Sequence, residues 1–296
     1  MNSQNVNING LNINFQNLEQ TRDIDKPTQF TKSNLKDNLK KKNILIVHGW
    51  SKTGSLKWQG FISSLSSKLK ELGQTNYNIL SLDLPGFGKS DQPTEVWGSL
   101  EYSIFLNNFL KKLDIFPDVI ICHSFGGAVT VNYLNLIARA VDNSEDDKGS
   151  KIKVIMMAPA IVRKKVGLLK IALQKVATTA KNVFLKTGLE QFYNKARPIF
   201  YKFYGSADYI NSGGIMTKIF LKIITQDTSQ LLTKLPNQTL LLWGNKDVQT
   251  PIWQAKIIQS KLTNCQFIQY KNVFHAIHLQ NQDQSIQDIT KFILKD

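Results

Sequence analysis

Apolar positions along the chain follow two alternating rhythms. Short, continuous runs of aliphatic and β-branched residues occur at Asn43–Trp50 (NILIVHGW), Asn78–Leu82, Val119–Cys122, Lys151–Met157, Leu240–Trp243 and Gln266–Tyr270. Their continuity fits strands buried on both faces of a parallel sheet. Between them, apolar residues recur at steps of three and four, which predicts helices at about Leu56–Leu72, Ser99–Leu113, Gly127–Ala140, Pro251–Lys261 and Gln280–Leu294. Strands alternating with helices imply an α/β fold, a mostly parallel sheet covered by helices on both faces. In such sheets, sites lie at the carboxyl ends of the strands.

Two segments break the alternation. Residues 6–15, VNINGLNINF, alternate apolar and polar positions around Asn9-Gly10 and predict an edge hairpin. The following stretch, 16–42, is polar, ends in three lysines and reads as a long solvated connection. From Ala160 to Leu235 helical spacing takes over: Val162, Val166, Leu169 and Leu173 share one face, with Lys164 and Lys175 opposite. This block reads as an all-helical cap (160–235) inserted between two parts of one core, 1–159 and 236–296.

Composition narrows the class. Hydrophobic residues make up 42% of 296 positions, and no apolar run approaches the ~18 residues that span a membrane. The polar start, MNSQNVNING, lacks the charged beginning and apolar centre of a secretion signal, so a cytoplasmic location is expected. Cys122 and Cys265 sit in separate apolar runs, which suggests two buried thiols in a reducing compartment.

Charge adds one asymmetry. Of the net +15, thirteen Lys or Arg against three acidic residues fall within 160–235. A solvated outer helix face accounts for this; attraction to anionic substrates or to an anionic membrane surface is the sharper alternative. No recognition motif accompanies the charge, so nucleic acid is not expected. The same block is aromatic, with Phe184, Phe200, Tyr204 and Phe220 among its rings. Together with Trp50 and Phe125, some of these would form an apolar pocket for an ester of modest size.

Candidate chemistry centres on Val119–Ala140, VIICHSFGGAVTVNYLNLIARA, which reads strand, sharp turn, helix with Ser124 at the apex. A strained turn there would project the hydroxyl over the strand ends, and Gly126 and Gly127 would let backbone pass close by. Serine needs a base, an orienter and oxyanion donors. His48 and His123 end their strands and flank the site, which leaves His275 and His278 in NVFHAIHLQ as candidate bases. Asp247, in WGNKDVQTP after the strand at 240–243, is the candidate acid, with a turn or N-cap role as its alternative. The backbone N–H of Phe125, after the nucleophile, and that of Trp50, in the turn after His48-Gly49, are the candidate oxyanion donors. DLPGFGKS (83–90) lacks the spacing of a phosphate-binding loop and reads as a structural turn cluster.

These stretches together, HGW (48–50), DLPGFGKS, CHSFGG (122–127), LLLWGNKDVQTP (240–251) and VFHAIHLQNQ (273–282), resemble the α/β-hydrolase family. The resemblance is in particular to its capped branch of esterases, lactonases, carbon–carbon bond hydrolases, epoxide hydrolases and haloalkane dehalogenases. It implies that His275 is the base, that Ser124, Asp247 and His275 form a triad, and that no metal or organic cofactor is needed. Serine at the nucleophile position argues against the last two activities, which use Asp. Three departures stand out: Cys122 and Phe274 replace glycines, and Gln280 stands where glutamate is usual. The implied activity is cleavage of carboxylic esters through an acyl-enzyme. Small-molecule lactones, thioesters or carbon–carbon bonds would need the same residues, and a non-catalytic ligand- or membrane-binding protein on this fold is the alternative of another kind.

Overall fold

The computed structural model describes residues 2–19, 41–140, 148–163 and 214–295. Strands β1 (Asn2–Ile8), β2 (Leu11–Glu19), β3 (Lys42–Val47), β4 (Tyr77–Leu82), β5 (Val119–His123), β6 (Lys153–Met157), β7 (Thr239–Gly244) and β8 (Cys265–Tyr270) form one sheet. Its order is β1-β2-β4-β3-β5-β6-β7-β8. Pairing is antiparallel from β1 through β2 to β4 and parallel from there on. The parallel α/β architecture expected from the alternation is therefore present.

Helices α1 (Gln59–Glu71), α2 (Ser99–Lys112), α3 (Phe125–Ala140), α4 (Gly214–Ile223), α5 (Trp253–Lys261), α6 (Ile277–Gln280) and α7 (Gln282–Leu294) complete the described elements. α1 packs on α7 and α2 on α3, two pairs that cover the sheet. Between them β4, β5 and β7 are buried along their whole length. This is why these strands carry continuous apolar runs and not an alternating pattern.

β5 lies between β3 and β6, in register with Val47 opposite Cys122 and His123 opposite Met157. The parallel strands thus end together, and the loops after β3, β5, β6, β7 and β8 meet over one rim. The candidate residues come from these loops.

Several expectations need correction. Residues 16–19 belong to β2 and not to a solvated connection, because their backbone pairs with β4 from Gln16↔Ser81 to Glu19↔Asn78. Backbone pairing needs no apolar pattern, so polar side chains hid the strand. Cys265 is only half-buried, since β8 is an edge strand, while Cys122 is fully enclosed. The helix expected from Leu56 opens with a tight 3-10 turn, Gly54–Trp58, before α1. The last helix is split at Asn281 into α6 and α7. Residues 20–40 of the connection, 141–147 of the acidic loop and 164–213 of the expected cap lie outside the described residues.

The described part of the expected cap, residues 160–163 and 214–235, is docked on the core. Lys222 of α4 reaches Glu101 of α2 at 3.1 Å and the Val96 carbonyl at 3.1 Å. Gln226 accepts the Ser99 N–H at the start of α2, 3.0 Å. These contacts hold the buried Phe220 of α4 against the rim, with its ring 5.2 Å from that of Trp50. Among the described residues, no helix is long and apolar enough to cross a membrane.

Candidate active site

Ser124 connects β5 to α3 with φ +51°. A left-handed conformation in a non-glycine residue costs about 1–3 kcal/mol and persists only when the surroundings impose it. Here they do. The Ser124 N–H donates to Met157 O at 3.2 Å, while its carbonyl accepts from Gly127 N–H at 3.0 Å and Ala160 N–H at 2.8 Å. The turn fits only because Gly126 lacks a side chain, as a Cβ there would stand 2.2 Å from Val47 O and 2.7 Å from His48 O. Phe125 opens α3, where the first backbone N–H groups have no intrahelical acceptor.

The turn after β3 comes equally close. A Cβ on Gly49 would lie 2.8 Å from His123 Nδ1 and 3.0 Å from Ser124 Cβ, so Trp50, the next residue, stands beside the nucleophile turn. His48 is held in one tautomer: its Nε2 accepts the Leu84 N–H at 3.0 Å, so Nδ1 carries the proton and donates to Gly49 O at 2.6 Å. Burial depresses its pKa, against the opposing pull of that bond and the Asp83 charge. Asp83 itself accepts from Ser55 N–H at 2.6 Å and Lys89 N–H at 3.0 Å. The 83–90 loop is therefore a set of turns tied to the core, as its sequence suggested.

Asp247 and His275 are brought together by bonds between the loops after β7 and β8. Asn245 N–H donates to Tyr270 O and Lys246 N–H to Val273 O, both at 2.9 Å. Gln280 accepts the Phe274 N–H at 2.9 Å and so closes the loop on its far side. His275 Nδ1–H then donates to Asp247 Oδ2 at 2.7 Å, with the two side chains 10% and 0% exposed. This bond assigns the proton to Nδ1 and leaves Nε2 without one.

Asp247 uses both of its carboxylate oxygens. Oδ1 closes a turn by accepting from Gln249 N–H and Thr250 N–H, each at 2.9 Å, while Oδ2 takes His275. Burial works to raise its pKa, and the hydrogen bond and charge of His275 together with the bonds from Thr250 outweigh it, so the carboxyl is held below its ordinary value.

Two supporting residues carry no clear mark in the sequence. Thr250 Oγ–H donates to Asp247 Oδ2 at 2.7 Å and lies 3.2 Å from His275 Nδ1, and the Trp243 indole N–H holds the Thr250 carbonyl at 2.8 Å. The one available signal was a threonine three places after the acid. His123 Nε2–H donates to the His275 carbonyl at 3.0 Å and anchors that residue from a position 152 residues away. Burial, then the charges of His275 and His278, keeps the His123 pKa well below its ordinary value. His278 is buried at 4% exposure and stacks on the Trp58 ring.

Ser124, His275, Trp50, Phe125 and Phe220 share one cavity of about 450 Å³. No hydrogen bond joins the Ser124 hydroxyl to His275 among the described residues; such bonds often tighten only with substrate in place. On one side the cavity is aromatic, with Trp50 edge-on to Phe87 at 4.8 Å and to Phe125 at 5.7 Å. Cys122, beneath the turn, has its thiol pushed up to about 12 by burial and is no nucleophile.

The fold agrees with the comparison to known families. The family model for the alpha/beta hydrolase fold matches residues 42–282. The chain belongs to the α/β-hydrolase family. Among its relatives, this α/β hydrolase is 22% identical over 261 residues to the AB hydrolase superfamily protein YisY of Bacillus subtilis, covering 84% of this chain and 90% of that one. It is also 28% identical over 99 residues to an uncharacterized protein of Mycobacterium tuberculosis, a match covering 33% of this chain and 26% of that protein's length. Its structure is similar to that of an esterase from Exiguobacterium antarcticum, with TM-score 0.63 and 15% identity over 98% of this chain and 99% of that one.

Proposed function

We propose that this α/β hydrolase is a serine hydrolase that cleaves carboxylic esters. The observation that carries the reading is the buried 2.7 Å His275–Asp247 bond opening on the same cavity as the strained Ser124. Ser124 Oγ attacks the ester carbonyl carbon as His275 Nε2 takes its proton. The tetrahedral oxyanion is received by the N–H groups of Phe125 and Trp50, and each such donor is worth about 2.7–4 kcal/mol in transition-state stabilisation. On collapse, the carbon–alkoxy bond breaks and His275 returns the proton to the leaving alcohol. Water, deprotonated by His275, then attacks the acyl-enzyme, releasing the acid and restoring Ser124. Asp247 holds the imidazole in its Nδ1–H tautomer and stabilises the imidazolium.

The apolar wall of Trp50, Phe125 and Phe220 supports acyl or alkyl groups of modest size. A reducing, cytoplasmic compartment suits two unbridged cysteines. The test is labelling with a fluorophosphonate followed by mapping of the adduct by mass spectrometry. An adduct on Ser124, absent from Ser124→Ala, is expected; folded protein that stays unlabelled overturns the reading in favour of a non-catalytic binding role.

A further inference from the structure

Arg163 lies in the cavity wall, and neither the triad nor the packing of the core explains its position. It follows Ala160-Ile161-Val162, and Ala160 N–H is bonded to the Ser124 carbonyl at 2.8 Å. Three residues span at most about 11 Å, so the Arg163 backbone stays close to the nucleophile. Arg163 lines the cavity together with Phe220, Ile223 and Ile224.

The guanidinium is unsatisfied at Nε, which is buried without a hydrogen-bond partner among the described residues. The nearby carboxylate of Asp227 is engaged elsewhere: it accepts the Arg163 backbone N–H at 2.7 Å and the Ser229 N–H at 2.9 Å, and neither bond involves the guanidinium. Burial acts against the charge of Arg163 and the Asp227 charge acts for it. Buried polar groups in native proteins are rarely left unpaired, which points to a partner that arrives from outside.

The cavity as a whole has the same preference. Among the described residues that line it, Lys57 and Arg163 are cationic and no Asp or Glu is present. One half-buried arginine and one exposed lysine match a single negative charge better than a dianion. A planar fork also pairs two-pronged with a carboxylate.

We propose that Arg163 binds a carboxylate carried by the substrate, so that the preferred ester is a monoester of a dicarboxylic acid or an ester of similar charge. The inference rests on the ester-hydrolase reading for its chemistry and on Arg163 alone for its specificity.

The test compares mono-4-nitrophenyl glutarate with 4-nitrophenyl pentanoate, esters of equal acyl length that differ in the terminal carboxylate. The wild-type protein should favour the glutarate ester in kcat/KM. In Arg163→Gln the charged-to-neutral ratio should fall on the order of 10- to 100-fold, the loss expected for one charge-assisted pair. Arg163→Lys, which keeps the charge and loses the fork, should fall between the two and serves where the glutamine variant does not fold. An equal loss on both esters, or no wild-type preference, overturns the assignment.

A second measurement needs no turnover: monomethyl glutarate, which carries a single carboxylate, should raise the melting temperature of Ser124→Ala protein and should not do so once Arg163→Gln is added. If that stabilisation is seen while neither ester is cleaved, the carboxylate site stands and the hydrolase reading falls. Cleavage of both esters without Arg163-dependent stabilisation overturns the carboxylate site and leaves the hydrolase reading in place.

Discussion

The ring of His278 lies flat on that of Trp58, with centroids 4.1 Å apart and planes within 3° of parallel. Three residues earlier, His275 points instead at Asp247. The residues alone left both histidines as candidates and the family resemblance pointed to His275; packing separates them in the same sense, since one bonds Asp247 and the other stacks on Trp58. His275→Ala should lower kcat/KM by about 10³-fold or more. His278→Phe, which keeps a flat ring on Trp58, should stay within about tenfold of wild type, as befits a wall residue. Ester kinetics on the two variants check this, and the opposite ranking moves the base to His278.

Burial of histidines has a consequence for stability. His278 is lowered to about 3 by desolvation and by the charges of His275 and Lys57, and His48 and His123 are lowered as well. An unfolded histidine titrates near 6.5. Below that value the unfolded chain takes up protons that the folded chain refuses, so stability is full above pH ~6.5 and falls as the pH drops toward the folded values. For His278 the loss is about 1.4 kcal/mol per pH unit in that window. Urea unfolding followed by circular dichroism at pH 7.5 and 5 should show this loss, with a shallower dependence in His278→Phe. An unchanged slope in the variant would show that His278 is not held neutral by the fold.

Thr250 acts on the chemistry through Asp247. Removing its hydroxyl in Thr250→Val deprives the buried carboxylate of a 2.7 Å donor. Loss of one hydrogen bond to a charged group predicts a fall in kcat of about 10- to 100-fold, with a smaller change in KM. Thr250→Ser should restore most of the rate. A purely structural role would instead lower the melting temperature of both variants and leave the kcat of folded protein alone.

Gly126 sets the tightness of the nucleophile turn. In Gly126→Ala the new methyl group meets Val47 O at 2.2 Å and His48 O at 2.7 Å, both backbone atoms that cannot swing aside. Overpacking of this kind costs about 1–3 kcal/mol. The variant should melt lower and, because the strain falls on the strand bearing Ser124, should also react more slowly with a fluorophosphonate. Wild-type stability would mean that the turn relaxes more readily than its contacts suggest.

The parts of the site legible in the sequence were those carried by short stretches of chain. Ser124 was marked by a strand, a glycine-rich turn and a helix in immediate succession, and Asp247 and His275 by their places directly after strand-like runs. The residues that position them were not so marked. Thr250 looks like any turn threonine, and Arg163 is one of many basic residues in its block. Polar strand residues 16–19 and the half-buried Cys265 escaped the sequence reading for a related reason, since pairing with β4 and placement at a sheet edge are facts about neighbours.

From the sequence alone came the succession of strands and helices, the turn at Ser124 and the order Ser124, Asp247, His275. Periodicity and glycine placement act within a few residues, so local physics suffices for these. Only the tertiary structure decided which histidine meets Asp247, that His123 holds the His275 carbonyl across 152 residues, and that an Arg163 with its Nε unpaired faces the cavity. Those contacts depend on the register in which the parallel strands end together, and register is set by the packing of the whole sheet.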